Sequence, residues 1–399
     1  MSANDTPGDG IRQRLTRARK RRALTQYGLA ARTSYSRSHI AQVESGHKIP
    51  TPAFVAAVAS ALGLDPTSLY GQPIHTDNVN DDRVHDAIAD LRRAISSADV
   101  APDLDAPVRS LGELSRALVN AEELRHAARH VQLGGHLPAL IEELTWHAHE
   151  SEDPAAWTLL NRAHNLAASL TRRLGYTDLA GQIMEQATVS ARESQDPHLP
   201  LMMTHRRALL MMNVAAWGPA MRLLEKAVGK VDAAKVDAVE VTGSLHLRAA
   251  VVSARAGSVS SAWDHYGQAV EASDRAGKPS LDAHGTDFNP GNLAIHRSSI
   301  AIELRDFDTA VTTDEVIRRD RVLAGVAPER RAHHEIDMSR VHVETGHADR
   351  ALKRLLSAER IAPQMTRYHP QARTLVKHMV DAKRALPEEL RGIQSRMGV

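Results

Sequence analysis

Thr25-Gln26-Tyr27-Gly28-Leu29-Ala30-Ala31-Arg32-Thr33-Ser34-Tyr35-Ser36-Arg37-Ser38-His39-Ile40-Ala41-Gln42-Val43-Glu44-Ser45-Gly46 reads as two short helices across a tight turn. Thr25 supplies an N-cap for the first helix, which Thr33 or Ser34 ends, and Ser36 caps the second. Leu29, Ala30, Tyr35, Ile40 and Val43 fall where such a pair turns apolar anchors inward, which is the helix-turn-helix arrangement. Upstream, Ile11, Leu15 and Ala18 recur at helical spacing among basic residues, so Ile11 to about Ala23 is expected as an amphipathic helix. Seven of the eleven residues from Arg12 to Arg22 are Lys or Arg. Downstream, Pro52–Leu62 and Pro66–Tyr70 complete five helices.

The segment resembles the phage-repressor-like, or xenobiotic-response-element type, helix-turn-helix domains. The resemblance rests on Thr25-Gln26, Leu29-Ala30, Ser36-Arg37-Ser38, Ile40, Val43-Glu44, Gly46, Pro50-Thr51 and the closing Ala59-x-Ala61-Leu62-Gly63-Leu64. It departs at Ser34, where the family's turn usually carries Gly, and at Tyr35, which is bulkier than usual. A turn wanting positive φ at Ser34 would be strained, so a slightly remodelled turn is expected. The resemblance implies that the second helix enters the major groove. It places Arg37, Ser38 and Gln42 on base edges, Ser36 and His39 near them, and Gln26 on the phosphate backbone. Arg37 suits guanine O6/N7 and Gln42 suits adenine N6/N7, against the alternative that each is a solvated polar residue. Glu44 is structural in the family, held by a basic residue of the first helix. The partner implied is double-stranded DNA, bound by a homodimer on an inverted repeat with half-sites about one helical turn apart.

Charge is distributed accordingly. Among residues 1–70 there are ten Lys/Arg against four Asp/Glu, a net of +6, which leaves −4 for the other 329 residues. A basic head on a mildly acidic body directs polyanion binding to the head. At 399 residues, with 42% hydrophobic and 25% charged side chains, the chain has the composition of a folded protein of two or three domains. Aromatic residues are only 3%, which favours helices over sheet. There is no cysteine, so disulfides, thiolate metal sites and a cysteine nucleophile are excluded.

The longest uncharged stretch, Ile49 to Leu64, contains two prolines and is shorter than the roughly 20 residues of a membrane span. The first ten residues lack the pattern of a signal peptide. A cytoplasmic protein is expected, nucleoid-associated when on DNA, with no membrane partner. Residues 1–9 are expected as a disordered start, 10–70 as the DNA-binding domain, 71–82 as a polar linker and 83–399 as a helical sensor and dimerisation domain. Further helices are expected at Arg83–Ser97, Ser110–Arg129 and Pro138–His149, with a break at Ala101–Pro107.

An internal repeat organises the rest. Ala180, Ala220, Ala262, Ala310 and Ala351 are separated by 40, 42, 48 and 41 residues. Four residues on stand Met184, Leu224, Tyr266, Asp314 and Leu355; seven on, Ala187, Ala227, Ala269, Ile317 and Ala358. Twelve residues back stand Ala168, Ala208, Ala250, Ser298 and Ser339, all small. This is the pattern of helical hairpins, in which a small residue on the first helix lets the second pack closely. It resembles the tetratricopeptide repeat, with spacings above the usual ~34 residues and with most consensus Trp and Tyr missing. The fold class expected is therefore all-α, a five-helix helix-turn-helix domain followed by a tetratricopeptide-like solenoid, against an irregular helical bundle.

Head and repeat body together resemble a group of actinobacterial transcriptional regulators. The carrying segments are Thr286-Asp-Phe288-Asn289-Pro290-Gly-Asn292-Leu-Ala-Ile-His296-Arg297, then Pro328-Glu329-Arg330-Arg331-Ala332-x-His334, then Ile361-Ala-Pro363 and Tyr368-His369-Pro370. Asn289 departs from the group's usual Gly. Solenoids present a concave face built from first helices, a natural groove for a peptide, a small molecule or a protein tail. Arg206 and Asn213, with Asn292 and His296 four residues apart on a later helix, are candidates for that groove. The alternative is that Asn292 caps its helix and His296 is a satisfied buried histidine.

Of 22 histidines, His126 and His130 form an i,i+4 pair, and His147/His149 and His333-His334-Glu335 form clusters without a third ligand at metal spacing. No metal or cofactor is expected. No Gly-x-Gly-x-x-Gly, phosphate loop or Gly-x-Ser-x-Gly occurs, so no catalytic constellation can be named and an enzyme is not expected. The rival to a DNA-binding regulator is a protein–protein adaptor whose head has lost DNA binding, and salt-dependent DNA binding discriminates the two.

Overall fold

The computed structural model describes residues 10–75, 82–151, 153–276, 284–383 and 385–399. The expectations for residues 1–9 and for 76–81 of the proposed linker fall outside them. All regular structure among the described residues is helical.

Five helices build the head: α1 (Ile11–Arg21), α2 (Gln26–Ala30), α3 (Arg37–Glu44), α4 (Pro52–Leu62) and α5 (Pro66–Tyr70). Their starts follow from side-chain caps. Thr25 accepts the Gly28 N–H, Ser36 that of His39, Thr51 that of Phe54 and Asp65 that of Thr67, each relieving an amide that the first helical turn cannot satisfy. Leu15, Leu29, Ile40, Val43, Phe54, Val58, Leu62 and Leu69 form the core, with Ala30 and Tyr35 packed on it. Ser34 is not among the positive-φ residues. The turn runs instead through Thr33, whose hydroxyl donates to the Leu29 carbonyl and accepts the Tyr35 N–H, so the remodelling expected at this departure is present. Gly46 ends α3 at φ +82°, a left-handed conformation that favours glycine.

The body begins with a 3₁₀ turn at Arg83–His85 and α6 (Ile88–Ser96), where one continuous helix was expected. Next come α7 (Leu111–His126), started by a Ser110/Glu113 capping box, and α8 (His130–Glu150). α8 begins eight residues before the expected Pro138, which lies inside it. The residue at i−4, against whose carbonyl a proline ring would press, is Gly134, and the helix accommodates it.

Five hairpins then follow: α9 (Pro154–Leu174) with α10 (Thr177–Glu193), α11 (Leu199–Asn213) with α12 (Trp217–Val228), α13 (Ala238–Arg255) with α14 (Val259–Ala276), α15 (Pro290–Glu303) with α16 (Phe307–Arg319), and α17 (Pro328–Glu344) with α18 (Ala348–Ile361). Three terminal helices, α19 (Pro363–Tyr368), α20 (Pro370–Asp381) and α21 (Glu388–Met397), close the end.

The repeat columns have direct structural meaning. The five reference alanines sit one on each second helix and are at most 1% exposed. Ala168, Ala208, Ala250, Ser298 and Ser339 sit on the five first helices and are buried. Asp314, the one polar member of the large column, is buried beside His334 Nε2 at 2.9 Å and the Arg354 guanidinium, which is also 3.1 Å from Glu335. An ion-pair cluster thus fills the place of an apolar side chain in that repeat.

First helices contact one another along the inner layer, α11 with α13, α13 with α15 and α15 with α17. The layer curls until its ends meet. Arg173 of α9 and Arg125 of α7 both pair with Glu329 of α17, and Gln364 of α19 accepts the Val131 N–H of α8. Hence the concave face is a partly enclosed cavity rather than the open groove expected.

The head packs on the body. Ile49, 3% exposed, joins the core cluster of α17, α18, α20 and α21, Arg12 pairs with Asp381 at 3.1 Å, and Thr177 donates to Asp65 at 3.2 Å. Among the described residues, no helix is long and apolar enough to cross a membrane.

Candidate nucleic-acid interface and concave cavity

Arg37, Ser38 and Gln42 are exposed on α3 although the body packs against other parts of the head. Ser36 caps that helix, so its hydroxyl oxygen accepts the His39 N–H at 3.2 Å at the exposed N-terminal end. Here the free amides of the first turn favour an anion. The Arg37 guanidinium lies 5.6 Å from the ring centroid of Tyr27, which is 73% exposed. Tyr27 is a residue the sequence analysis did not select, and its neighbour Gln26 was the only signal pointing at this edge.

Two of the expected residues have partners within the head. His39 turns inward, stacked on Phe54 with ring centroids 5.1 Å apart and edge-on to Tyr35. Burial, with Lys48 and Arg305 adding repulsion, lowers its pKa to about 4. Its ring is thus a neutral aromatic wedge between Tyr35 and Phe54. Gln26 is half-buried, and its side-chain amide donates to Glu44 Oε2 at 2.9 Å rather than standing free for a phosphate. Glu44 also receives Arg19 in a two-pronged contact, Nε to Oε1 at 2.7 Å and Nη2 to Oε2 at 2.9 Å. Burial alone would raise the Glu44 carboxyl, but the donors outweigh it and hold it below the usual range. This brace joins α1, α2 and α3 and so fixes the presentation of Arg37 and Gln42.

The other expected set comes together on the body. Arg206, Asn213, Asn292 and His296 all line the concave cavity, whose volume is about 420 Å³. Their side chains are partly committed. Asn292 Oδ1 accepts the Arg330 guanidinium at 2.9 and 3.1 Å. His296 Nδ1 donates to the Asn292 carbonyl at 2.8 Å, and Arg206 donates to the His284 carbonyl at 2.5 Å. The cap of α15 is Asn289, which accepts the Asn292 N–H at 3.0 Å. The sequence analysis missed Arg172, Arg248 and Arg330 on the same walls. Arg248 had a signal: it stands two residues before the small residue of its repeat, as Arg206 and His296 do in theirs. Head residues Pro52, Asp65, Thr67 and Tyr70 border the cavity, so one space touches both parts of the molecule.

Residues 11–69 match the family model of a helix-turn-helix domain. The immunity repressor protein of Bacillus phage phi105 is 37% identical over 62 residues, which is 16% of this chain and 43% of the repressor. The chain thus matches less than half the length of that curated relative. Two solved structures have wider coverage at low similarity. BtubC from P. vanneervenii is 20% identical with a TM-score of 0.38, over 70% of this chain and 94% of that one. PlcR of Bacillus thuringiensis, solved with the peptide PapR7 and DNA, is 14% identical with a TM-score of 0.35, over 79% and 100%. Neither serves as a template for the cavity.

Among the described residues, two groups of side chains are close enough to hold a cation. In one, His198 Nδ1 and His284 Nε2 lie 2.9 and 2.7 Å from the two oxygens of Asp237. His198 Nε2 already accepts the Asp232 N–H at 3.1 Å, which makes Nδ1 the donor to Asp237. In the other, His75 and His85 lie 3.2 and 4.0 Å from Asp82. His85 donates to the Ile74 carbonyl and meets the Tyr176 hydroxyl at 3.1 Å. Hydrogen bonding accounts for both nitrogens of His198 and of His85.

Proposed function

We propose that the protein is a sequence-specific DNA-binding transcriptional regulator. The observation that carries this is the exposed Arg37, Ser38 and Gln42 on a capped helix, locked by Arg19 and Glu44, within a segment that matches a helix-turn-helix model. The phage relative, named an immunity repressor, supports the same direction over this segment. In the proposal, residues 10–70 form the DNA-binding domain, Arg37 and Gln42 read base edges, and Ser36 and Ser38 position the helix. The body is a tetratricopeptide-like domain that dimerises, so two heads meet an inverted repeat, and that takes a ligand, peptide or protein partner in its cavity. Because head residues border that cavity, an occupant that favours one placement of the head changes DNA affinity by the difference in its affinity for the two placements.

The deciding experiment is selection of bound fragments from genomic DNA with the full chain, read as an enriched motif with two related half-sites. Light scattering of the same protein should give the mass of a dimer. Recovery of no motif, with DNA binding insensitive to salt, would replace this reading with the adaptor.

A further inference from the structure

Seven arginines and five acidic residues line the concave cavity, and every acid is engaged. Asp65 accepts the Thr67 and Thr177 hydroxyls, Asp287 lies near Arg125 and His126, Glu303 near Arg255, Glu329 near Arg125 and Arg173, and Asp337 accepts the Ser299 hydroxyl. Arg206 is held at the His284 carbonyl, and three further arginines have no carboxylate within 4 Å among the described residues. The guanidinium of Arg172 on α9 has no hydrogen bond or ion pair there. Arg248 of α13 donates only to His205 Nε2, at 3.4 Å. Arg330 of α17 donates to the neutral Asn292.

A guanidinium stays charged in a protein, so leaving three of them around one cavity without counter-ions is unfavourable. The cost shows in their acidity. Burial and the nearby Arg255 bring Arg172 down to about 10. Burial and four surrounding arginines bring Arg248 down to about 9. The same walls hold buried polar atoms with no hydrogen-bond partner: Asn165 Oδ1, His205 Nδ1, Ser244 Oγ and Gln371 Nε2. Next to them Leu209, Leu247, Val251 and Ile295 supply apolar wall. Cationic forks, uncommitted polar atoms and apolar surface are the three components that hold a charged organic molecule in one orientation.

We propose that the cavity binds a compact organic anion with two or three negative charges, a phosphate ester or a polycarboxylate, with Arg172, Arg248 and Arg330 as its counter-ions. A cavity of about 420 Å³ bordered by the head is of small-molecule size. This deepens the reading of the body as a sensor and rests on it. The anion would sit between α9, α13 and α17, which belong to the first, third and fifth hairpins, and beside Tyr70 of the head.

The test is thermal denaturation and titration calorimetry of the full chain with pyrophosphate and with citrate, against sodium chloride at matched ionic strength. The expected result is a higher melting temperature with one or both anions and none with chloride. Arg172→Met and Arg248→Met, made separately, should each weaken anion binding at least tenfold. Without anion they should melt at or above the temperature of the parent, since each removes a half-buried cation that has no counter-ion. Arg37→Ala, on the head's outer edge, should bind the anions as the parent does. Absence of any rise, or a rise kept in both Met variants, overturns the site. So does a response to a hexaglutamate peptide but to neither small anion. A gel-shift on the selected operator separates this from the function proposed above. Anion binding with unchanged operator affinity upholds the site and removes the sensing role. Operator binding by a protein that binds neither anion in calorimetry keeps the regulator and removes the site.

Discussion

Arg37 and Glu44 lie on the same helix and have opposite uses. Arg37 is exposed and has no acidic partner, so its removal costs the fold little, and on the proposed function it costs DNA recognition. Loss of one bidentate base contact is worth about 1–3 kcal/mol. Arg37→Ala is therefore expected to weaken operator binding by roughly 5- to 150-fold and relax preference at one base position, with an unchanged melting temperature. A gel-shift series over single-base variants of the selected site measures both, and an unaltered base preference would remove Arg37 from readout. Glu44 behaves in the reverse way. Its side chain is 7% exposed and holds Arg19 and Gln26, so Glu44→Gln leaves the Arg19 charge buried without its counter-ion. That should cost about 3 kcal/mol of stability, seen in denaturant titration of the full chain. The linkage has a defined sign. The Glu44 carboxyl is held below its unfolded range, so its contribution is present above that range and is lost as pH falls through the folded value.

At the scale of elements, the repeat columns decide what can be exchanged. Asp314 occupies a position that is apolar in the other repeats, and it is retained through His334 and Arg354. Asp314→Leu alone should destabilise by about 3–5 kcal/mol, because Arg354 loses its closest carboxylate in a buried site. Asp314→Leu combined with Arg354→Met should recover most of that loss, since the column then packs as in its neighbours. Equal denaturation midpoints for the single and double variants would show that the ion pair is not what holds this repeat together. The columns also show why much of the body was legible. A spacing that repeats five times reports which face of each helix is buried, and caps such as Thr51 and Asp65 report where helices start. What stayed hidden depends on partners distant in sequence. The spacing of His39 in α3 fits either face, and only Phe54 of α4 draws it inward. Gln26 looked free because Glu44 lies 18 residues away. Pro138 looked like a helix start because proline suits a first turn, whereas α8 runs through it. The closure of the cavity rests on Glu329 meeting Arg125 and Arg173, more than 150 residues apart, and no periodicity encodes that.

For the whole molecule, the sequence shows a +6 head on a −4 body, and the structure adds that the positive charge is not confined to the head. The body's arginines converge inward, and buried histidines surround and extend that layer. Burial lowers His130, His164 and His333 to about 3, with arginines near His130 and His333 adding to the effect. Unfolded, these imidazoles take up a proton near pH 6.5, while folded they remain neutral. Between pH 6.5 and about 3 the unfolded state thus binds more protons, and stability rises with pH across that window. Each pH unit below 6.5 costs up to about 1.4 kcal/mol per group. Three groups therefore remove about 6 kcal/mol by pH 5, a large part of the 5–15 kcal/mol typical of a folded domain. The urea midpoint of the full chain should hold steady from pH 8 to 7 and fall steeply from pH 6.5 to 5. His164→Gln should flatten that fall without abolishing it, since His164 Nε2 has no partner to lose. A midpoint constant between pH 6.5 and 5 would mean that these histidines reach water in the folded protein. The inner layer of the body would then be open, and the enclosed cavity that places the head against its contents would not persist in solution.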